Sequence, residues 1–157
     1  MNHIGYIQGD ATQPTGSGNK IIVHICNDVG RWGKGFVLAI SARWPEPEQQ
    51  YRDWFASKKD FVLGKAQLVP VEAGLWVVNV IGQHKIANGK SGTPPIRYEA
   101  VQEGLREVYA FATTHQASVH MPRIGCGLAG GSWDKIAPII EQELTDKGVQ
   151  VTVYDFN

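Results

Sequence analysis

The sequence predicts an α/β fold, with a mixed sheet of about six strands covered on both faces by helices. Three observations lead there. The apolar run Ile21-Ile22-Val23-His24-Ile25 suits a strand buried on both faces. Strand-type segments alternate with helical patterns, such as Val101, Leu105, Val108 and Phe111. Polar or glycine-rich stretches follow predicted strands at Asp10, His24 to Gly35, Gly82 to Lys85 and Arg123 to Gly131. Open α/β sheets place ligands at those carboxyl ends.

In chain order, Ile4 to Gln8 reads as a short strand stopped by Gly9-Asp10, and Gln13 to Asn19 as a polar turn. Lys20 to Ile25 is the second strand, with Asn27 beyond its end. After the loop Gly30-Arg31-Trp32-Gly33-Lys34-Gly35, Phe36 to Trp44 is long enough for a helix, and Pro45 and Pro47 break it. Glu46 to Ala56 forms the next helix. Lys65 to Val71 and Leu75 to Ile81 read as strands around a turn at Glu72-Ala73-Gly74. Asn88 to Pro95, rich in Gly, Asn, Ser and Pro, is a loop with the character of a lid. Tyr98 to Thr114 is an amphipathic helix, Ala117 to Met121 a strand, Trp133 to Thr145 a helix and Val149 to Tyr154 a last strand.

A length of 157 residues with 43% apolar and 19% charged side chains fits one globular domain, residues 1–157. The zero formal charge disfavours nucleic-acid binding by bulk electrostatics. No run approaches a membrane span, and Met1 to Asp10 lacks the regions of a signal peptide. Cys26 and Cys126 show no metal-ligand spacing, so no metal is expected and a reduced cytoplasmic setting is the simplest reading.

Met121 to Trp133 carries the sharpest functional signal: Gly125, Gly127, Gly130 and Gly131 lie between a strand and a helix. Glycines allow close backbone approach, and free N–H groups favour an anion. The loop fits a phosphate or pyrophosphate cradle, or else a plain strand-to-helix turn. Its spacing matches neither Gly-x-Gly-x-x-Gly nor Gly-x-x-x-x-Gly-Lys-Ser/Thr. Gly30 to Gly35 is a second such loop, and two of them could hold two linked phosphates.

Four motifs in order resemble a macro domain, the module that binds ADP-ribose. They are Gly9-Asp10; His24-Ile25-Cys26-Asn27 followed by Gly33-Lys34-Gly35-Phe36; Pro122-Arg123-Ile124-Gly125-Cys126-Gly127; and Val153-Tyr154-Asp155-Phe156. Small stand-alone members that process ADP-ribose-1″-phosphate or hydrolyse ADP-ribosyl-glutamate are the most similar branch. The resemblance implies a three-layer α/β/α sandwich around a six-stranded mixed sheet, and ADP-ribose binding without metal or cofactor.

It also implies site roles. Asp10, with Ala11, would meet the adenine 6-amino group; as a plain residue Asp10 would cap a turn. Asn27 would touch the distal ribose, or form an Asx turn. Backbone of Gly33, Lys34, Gly35 and Phe36, and of Pro122, Ile124, Gly125, Cys126, Gly127, Leu128, Ala129 and Gly130, would surround the diphosphate and distal ribose. The Lys34 side chain points to solvent in this reading. Trp32 would wall the distal ribose or join the core. Tyr154 and Phe156 would flank adenine, with a core strand position as the alternative for Tyr154.

Two histidines are catalytic candidates. Alternation puts His24 on the same sheet face as Cys26, near the distal ribose or simply in the core; His84 follows the fourth strand. Cys126 reads as a small loop residue rather than a nucleophile. Where ADP-ribosyl-glutamate hydrolases carry a lysine and an aspartate, Gln83 and Ala129 stand here, with Lys85 as a shifted substitute for the lysine. That disfavours a lysine mechanism and leaves binding untouched. The functions implied are hydrolysis of an ADP-ribose derivative, foremost ADP-ribose-1″-phosphate; a reader of free or protein-linked ADP-ribose; or de-ADP-ribosylation of protein or nucleic-acid ends.

Overall fold

Alternation along the central strands divides the apolar side chains between two cores. The computed structural model describes residues 3–156; Met1, Asn2 and Asn157 of the expected 1–157 unit lie outside them. The strands are β1 (Gly5–Gln8), β2 (Lys20–Asn27), β3 (Ala66–Glu72), β4 (Leu75–Gln83), β5 (Ser118–Met121) and β6 (Val151–Asp155). They form one mixed sheet in the order β1-β6-β5-β2-β4-β3. Every pairing is parallel except β3 with β4, whose connection is short enough for a hairpin.

The helices are α1 (Phe36–Ser41), α2 (Glu46–Ser57), α3 (Tyr98–His115) and α4 (Trp133–Glu143), followed by a single 3-10 turn, Thr145–Lys147. Ile21, Val23, Val78 and Val80 face Val101, Leu105 and Val108 of α3 and Ile136 and Ile140 of α4. Ile22, Cys26 and Val77 face Ile40 of α1, Tyr51 of α2 and, between these helices, Trp44 on the opposite side. The result is the three-layer α/β/α sandwich. Fully burying one such aliphatic side chain is worth about 1.5–3 kcal/mol, so β2 and β4, packed on both faces, fix the centre of the fold.

Some boundaries differ from those read in the sequence. β2 runs two residues further, so Asn27 ends the strand instead of lying beyond it; a register shift between Cys26 and Asn27 lets Asn27 pair with Gln83. α1 stops at Ser41, three residues before Trp44. The Trp44 indole N–H donates to Glu72 at 2.8 Å, holding the chain against β3. α4 ends at Glu143 and tightens into the 3-10 turn. Among the described residues no helix is long and apolar enough to cross a membrane.

Candidate functional site

The carboxyl ends of β2, β4 and β5 open into a crevice between two loops. Asn27 organises the first. Its Oδ1 accepts the N–H groups of Val29 (3.1 Å) and Arg31 (3.0 Å), and its Nδ2 donates to the Arg31 carbonyl at 2.7 Å. The Tyr51 hydroxyl, from beneath, donates to the Asn27 carbonyl at 2.6 Å. A β2 end tied down this way sends residues 31–35 over the crevice. The turn into α1 is made at Gly35, whose φ of 86° few side-chain-bearing residues adopt.

The second loop, residues 122–131, is braced from within by Gly130 N–H to the Gly127 carbonyl (3.0 Å) and Gly131 N–H to the Gly125 carbonyl (2.7 Å). Gly125 has φ 72°, and a Cβ there would lie 2.7 Å from Ile96 Cδ1. Ile96 itself donates its N–H to the Ala129 carbonyl at 3.0 Å. Pro94 packs on Gly130. The end of the 88–95 loop is therefore fastened to the glycine loop. The rest of it is exposed and folds on itself through Gly89 N–H to Thr93 at 2.9 Å.

The loops nearly meet. A Cβ on Gly35 would lie 3.6 Å from Leu128 Cδ1, and the Leu128 side chain is 67% exposed. The crevice has two chambers, of about 320 and 380 Å³, that share Ile25, Lys34, Val37, Gln83 and Leu128. Among the described residues, the N–H groups of Lys34, Gly35 and Phe36 on one side, and of Gly127 and Leu128 on the other, have no hydrogen-bond partner. At Gly33 and Gly127 a Cβ would meet nothing within 4 Å, so both present bare backbone to open space.

Residues expected at the site distribute as follows. His24, Lys34, Gly35, Phe36, Pro122, Ile124, Gly125, Gly127, Leu128 and Ala129 line the first chamber; Asn27, Gly33, Lys34 and Leu128 line the second; His84 lines neither. Cys126 is half-buried; burial raises its thiol pKa, against an opposing pull from Arg123. Asp10 and Ala11 lie outside both chambers. Asp10 Oδ1 accepts the Thr12 N–H at 2.8 Å and hydroxyl at 2.7 Å, and Oδ2 is 3.6 Å from Arg43 Nη2. Burial pushes the Asp10 carboxyl up, but the Thr12 hydrogen bonds and the Arg43 charge outweigh it and hold the group below the ordinary carboxylate range.

Of the aromatic candidates, Trp32 is buried, donates its indole N–H to Ser41 Oγ at 2.8 Å and packs edge-on against His24. It takes the core alternative. Tyr154 does so too: it is 2% exposed, with its hydroxyl 2.6 Å from His120 Nδ1 and accepting the Thr15 N–H at 3.0 Å. Phe156 is 76% exposed at the end of β6.

His24 and Cys26 share the face that alternation assigned them. His24 is buried, with Nε2 on Asn79 Oδ1, and burial lowers its pKa to about 4, so the ring is neutral at pH 7. His84 is different. Its side chain is 44% exposed, and its Nδ1 donates to Asp28 Oδ2 at 2.7 Å. Gln83 lines both chambers, whereas Lys85 lines neither and is held by its backbone N–H to Asp28 Oδ1 at 2.8 Å. Sequence reading missed Ile25, Cys26, Arg31, Val37, Ile86 and Arg123 as lining residues, and Asp28 and Asn79 as polar partners. Asp28 sits beside Asn27, but its histidine is 56 positions away.

No protein-family model matches the chain. Its structure is similar to a protein of unknown function from Bacteroides thetaiotaomicron, with 58% identity, 98% of each chain covered and a TM-score of 0.97. It is also similar to the macrodomain protein from Streptomyces coelicolor, with 50% identity over 99% of this chain and 100% of that one, TM-score 0.88. Thermosipho africanus DarTG in complex with ADP-ribose shares the fold at 21% identity, over 87% of this chain and 38% of that one, TM-score 0.71. In sequence, the chromodomain-helicase-DNA-binding protein 1-like of Danio rerio is 35% identical across 96% of this chain, which spans only 15% of that protein's length. The ADP-ribose 1″-phosphate phosphatase of Candida glabrata is 23% identical, with 99% of each chain covered. The full-length match at half identity joins to the geometry of the crevice, and the chain belongs to the macrodomain family.

Proposed function

We propose that the crevice binds ADP-ribose and that the chain hydrolyses an ADP-ribose derivative, with ADP-ribose-1″-phosphate as the substrate and inorganic phosphate as a product. The observation that carries the binding reading is the pair of opposed loops with unpaired N–H groups at Gly35 and Phe36 and at Gly127 and Leu128. A diphosphate between them would accept from both sides. Hydrogen bonds to a charged group contribute about 1.5–3 kcal/mol each, so two or three of them account for much of a micromolar affinity of about −8 kcal/mol. Membership of the macrodomain family, the ADP-ribose complex of the distant DarTG and the full-length similarity to the Candida glabrata ADP-ribose 1″-phosphate phosphatase support the same ligand.

For turnover, the residues at Gln83 and Ala129 supply neither an amine nor a carboxylate, and Ala129 is buried with its carbonyl committed to Ile96. This disfavours a lysine adduct and favours attack by water. It also keeps a second reading in play, that of a reader which binds ADP-ribose, free or protein-linked, without cleaving it. Incubation with ADP-ribose-1″-phosphate separates the two. Phosphate release supports the hydrolase; saturable ADP-ribose binding with no product from the phosphorylated, protein-linked or nucleic-acid-linked forms supports the reader.

A further inference from the structure

The Asp28–His84 pair is built like a proton-handling dyad, and it is separate from the two loops that would hold the diphosphate. Asp28 Oδ2 takes the Nδ1–H of His84 at 2.7 Å. Its other oxygen takes the Lys85 N–H at 2.8 Å, and its own N–H donates to the Gln83 carbonyl at 3.1 Å. The His84 N–H donates to the Pro95 carbonyl at 2.8 Å. Both residues are thus fixed by backbone as well as by each other. The Asp28 side chain is mostly buried and that of His84 is 44% exposed. Among the described residues His84 Nε2 has no partner. A carboxylate on Nδ1 fixes the tautomer that leaves the lone pair on Nε2.

Position gives the pair its meaning. Asn27 and Gln83, the chain neighbours of Asp28 and His84, both line the second chamber, as does Ile86 just beyond. The dyad adjoins the second chamber through these neighbours, at the ends of β2 and β4, without itself lining either chamber. His24, the other histidine at the crevice, lines the first chamber, but its Nε2 is committed to Asn79 Oδ1.

We infer that His84 is the general base and acid of this site and that Asp28 is its positioning residue, acting on an ester at the far end of the bound ligand; this rests on the crevice holding an ADP-ribose derivative. His84 Nε2 takes a proton from water as the water oxygen bonds to phosphorus. The bond between phosphorus and the ribose oxygen breaks, and its electron pair stays on that oxygen. The imidazolium then returns the proton to it. One water is consumed, one hydroxyl and one phosphate are released, and His84 ends in its starting form.

The test compares the parent with His84→Gln, His84→Ala and Asp28→Asn, reading ADP-ribose affinity by calorimetry, phosphate release from ADP-ribose-1″-phosphate, and melting temperature. General bases contribute about 10²- to 10⁴-fold. Expected are a kcat at least about a hundredfold lower in His84→Gln with ADP-ribose affinity unchanged, partial rescue of His84→Ala by added imidazole, and a roughly tenfold lower kcat at unchanged KM in Asp28→Asn. A folded His84→Gln with parental kcat overturns the proposal and makes the pair a clasp between loops. If His84→Gln melts early, the imidazole series decides: no response in a folded His84→Ala whose kcat has fallen also overturns it. A parent that binds ADP-ribose but releases no phosphate overturns the dyad alone, whereas a parent that does not bind overturns the reading of the crevice itself.

Discussion

Leu128 Cδ1 lies 3.6 Å from where a Cβ on Gly35 would stand, so the two loops of the crevice approach each other at one exposed leucine and one bare backbone. The glycines of these loops fall into those that shape the chain and those that leave room for a ligand. Gly125 is of the first kind, with positive φ and Ile96 against its missing Cβ; Gly127 is of the second, with open space and a φ outside the left-handed region.

Gly127→Glu should therefore leave the fold intact and block the ligand. Like charges about 5 Å apart at an effective dielectric near 20 repel by roughly 3 kcal/mol, so a loss of at least about a hundredfold in ADP-ribose affinity is expected, equivalent to roughly 2.7 kcal/mol. Gly125→Ala should do the reverse in the first instance and lower the melting temperature. Calorimetry and thermal melting on both variants check this; a Gly127→Glu protein that melts early yet binds normally would reduce the loop to a turn.

Asp10 joins a turn and an ion pair, which makes its two substitutions informative. Asp10→Ala removes the acceptor of both Thr12 hydrogen bonds and should lower the melting temperature. If the carboxylate also meets the adenine amino group, it weakens ADP-ribose binding by about 1.5–3 kcal/mol. Asp10→Asn, which keeps an oxygen, should cost less. Because the folded carboxyl is held below its ordinary range, its stabilisation is present above the unfolded pKa and is lost as pH falls through the folded value. The stability difference between parent and Asp10→Asn should shrink from pH 7 to pH 3 in denaturant titrations; a constant difference would contradict the ion pair.

Two buried histidines make the fold acid-sensitive. Burial lowers His24 to about 4, and burial with the nearby Lys20 charge lowers His120 to about 4. Between that value and the ordinary 6.5 the unfolded chain binds more protons, so stability rises with pH across this window and is lost on acidification. Each group accounts for on the order of 3 kcal/mol at the acid end. Urea unfolding at pH 7 and pH 4.5 should show a smaller loss in His120→Asn than in the parent. Equal losses would mean that His120 is protonated in the fold.

Much of this architecture was legible because short-range pattern decides it. Even and odd positions of β2 and β4 sort Ile22 and Val77 from Ile21, Val23, Val78 and Val80, and the alternation that paired His24 with Cys26 holds. The glycine loops stood out by composition. What the sequence hid depends on partners far along the chain. Trp44 left the first helix because Glu72 receives its indole. Trp32 and Tyr154 went to the core because Ser41 and His120 satisfy their polar atoms. Asp28 gave no local sign of pairing with a histidine across the sheet.

ADP-ribose binding is the central claim, and titration calorimetry of the intact chain measures it most directly. Saturable heat with one site and a dissociation constant in roughly the micromolar range is expected, with AMP and adenosine binding more weakly because they reach only part of the crevice, and with no change on adding chelator. No detectable heat at millimolar ADP-ribose, from a protein that melts cooperatively, would contradict it.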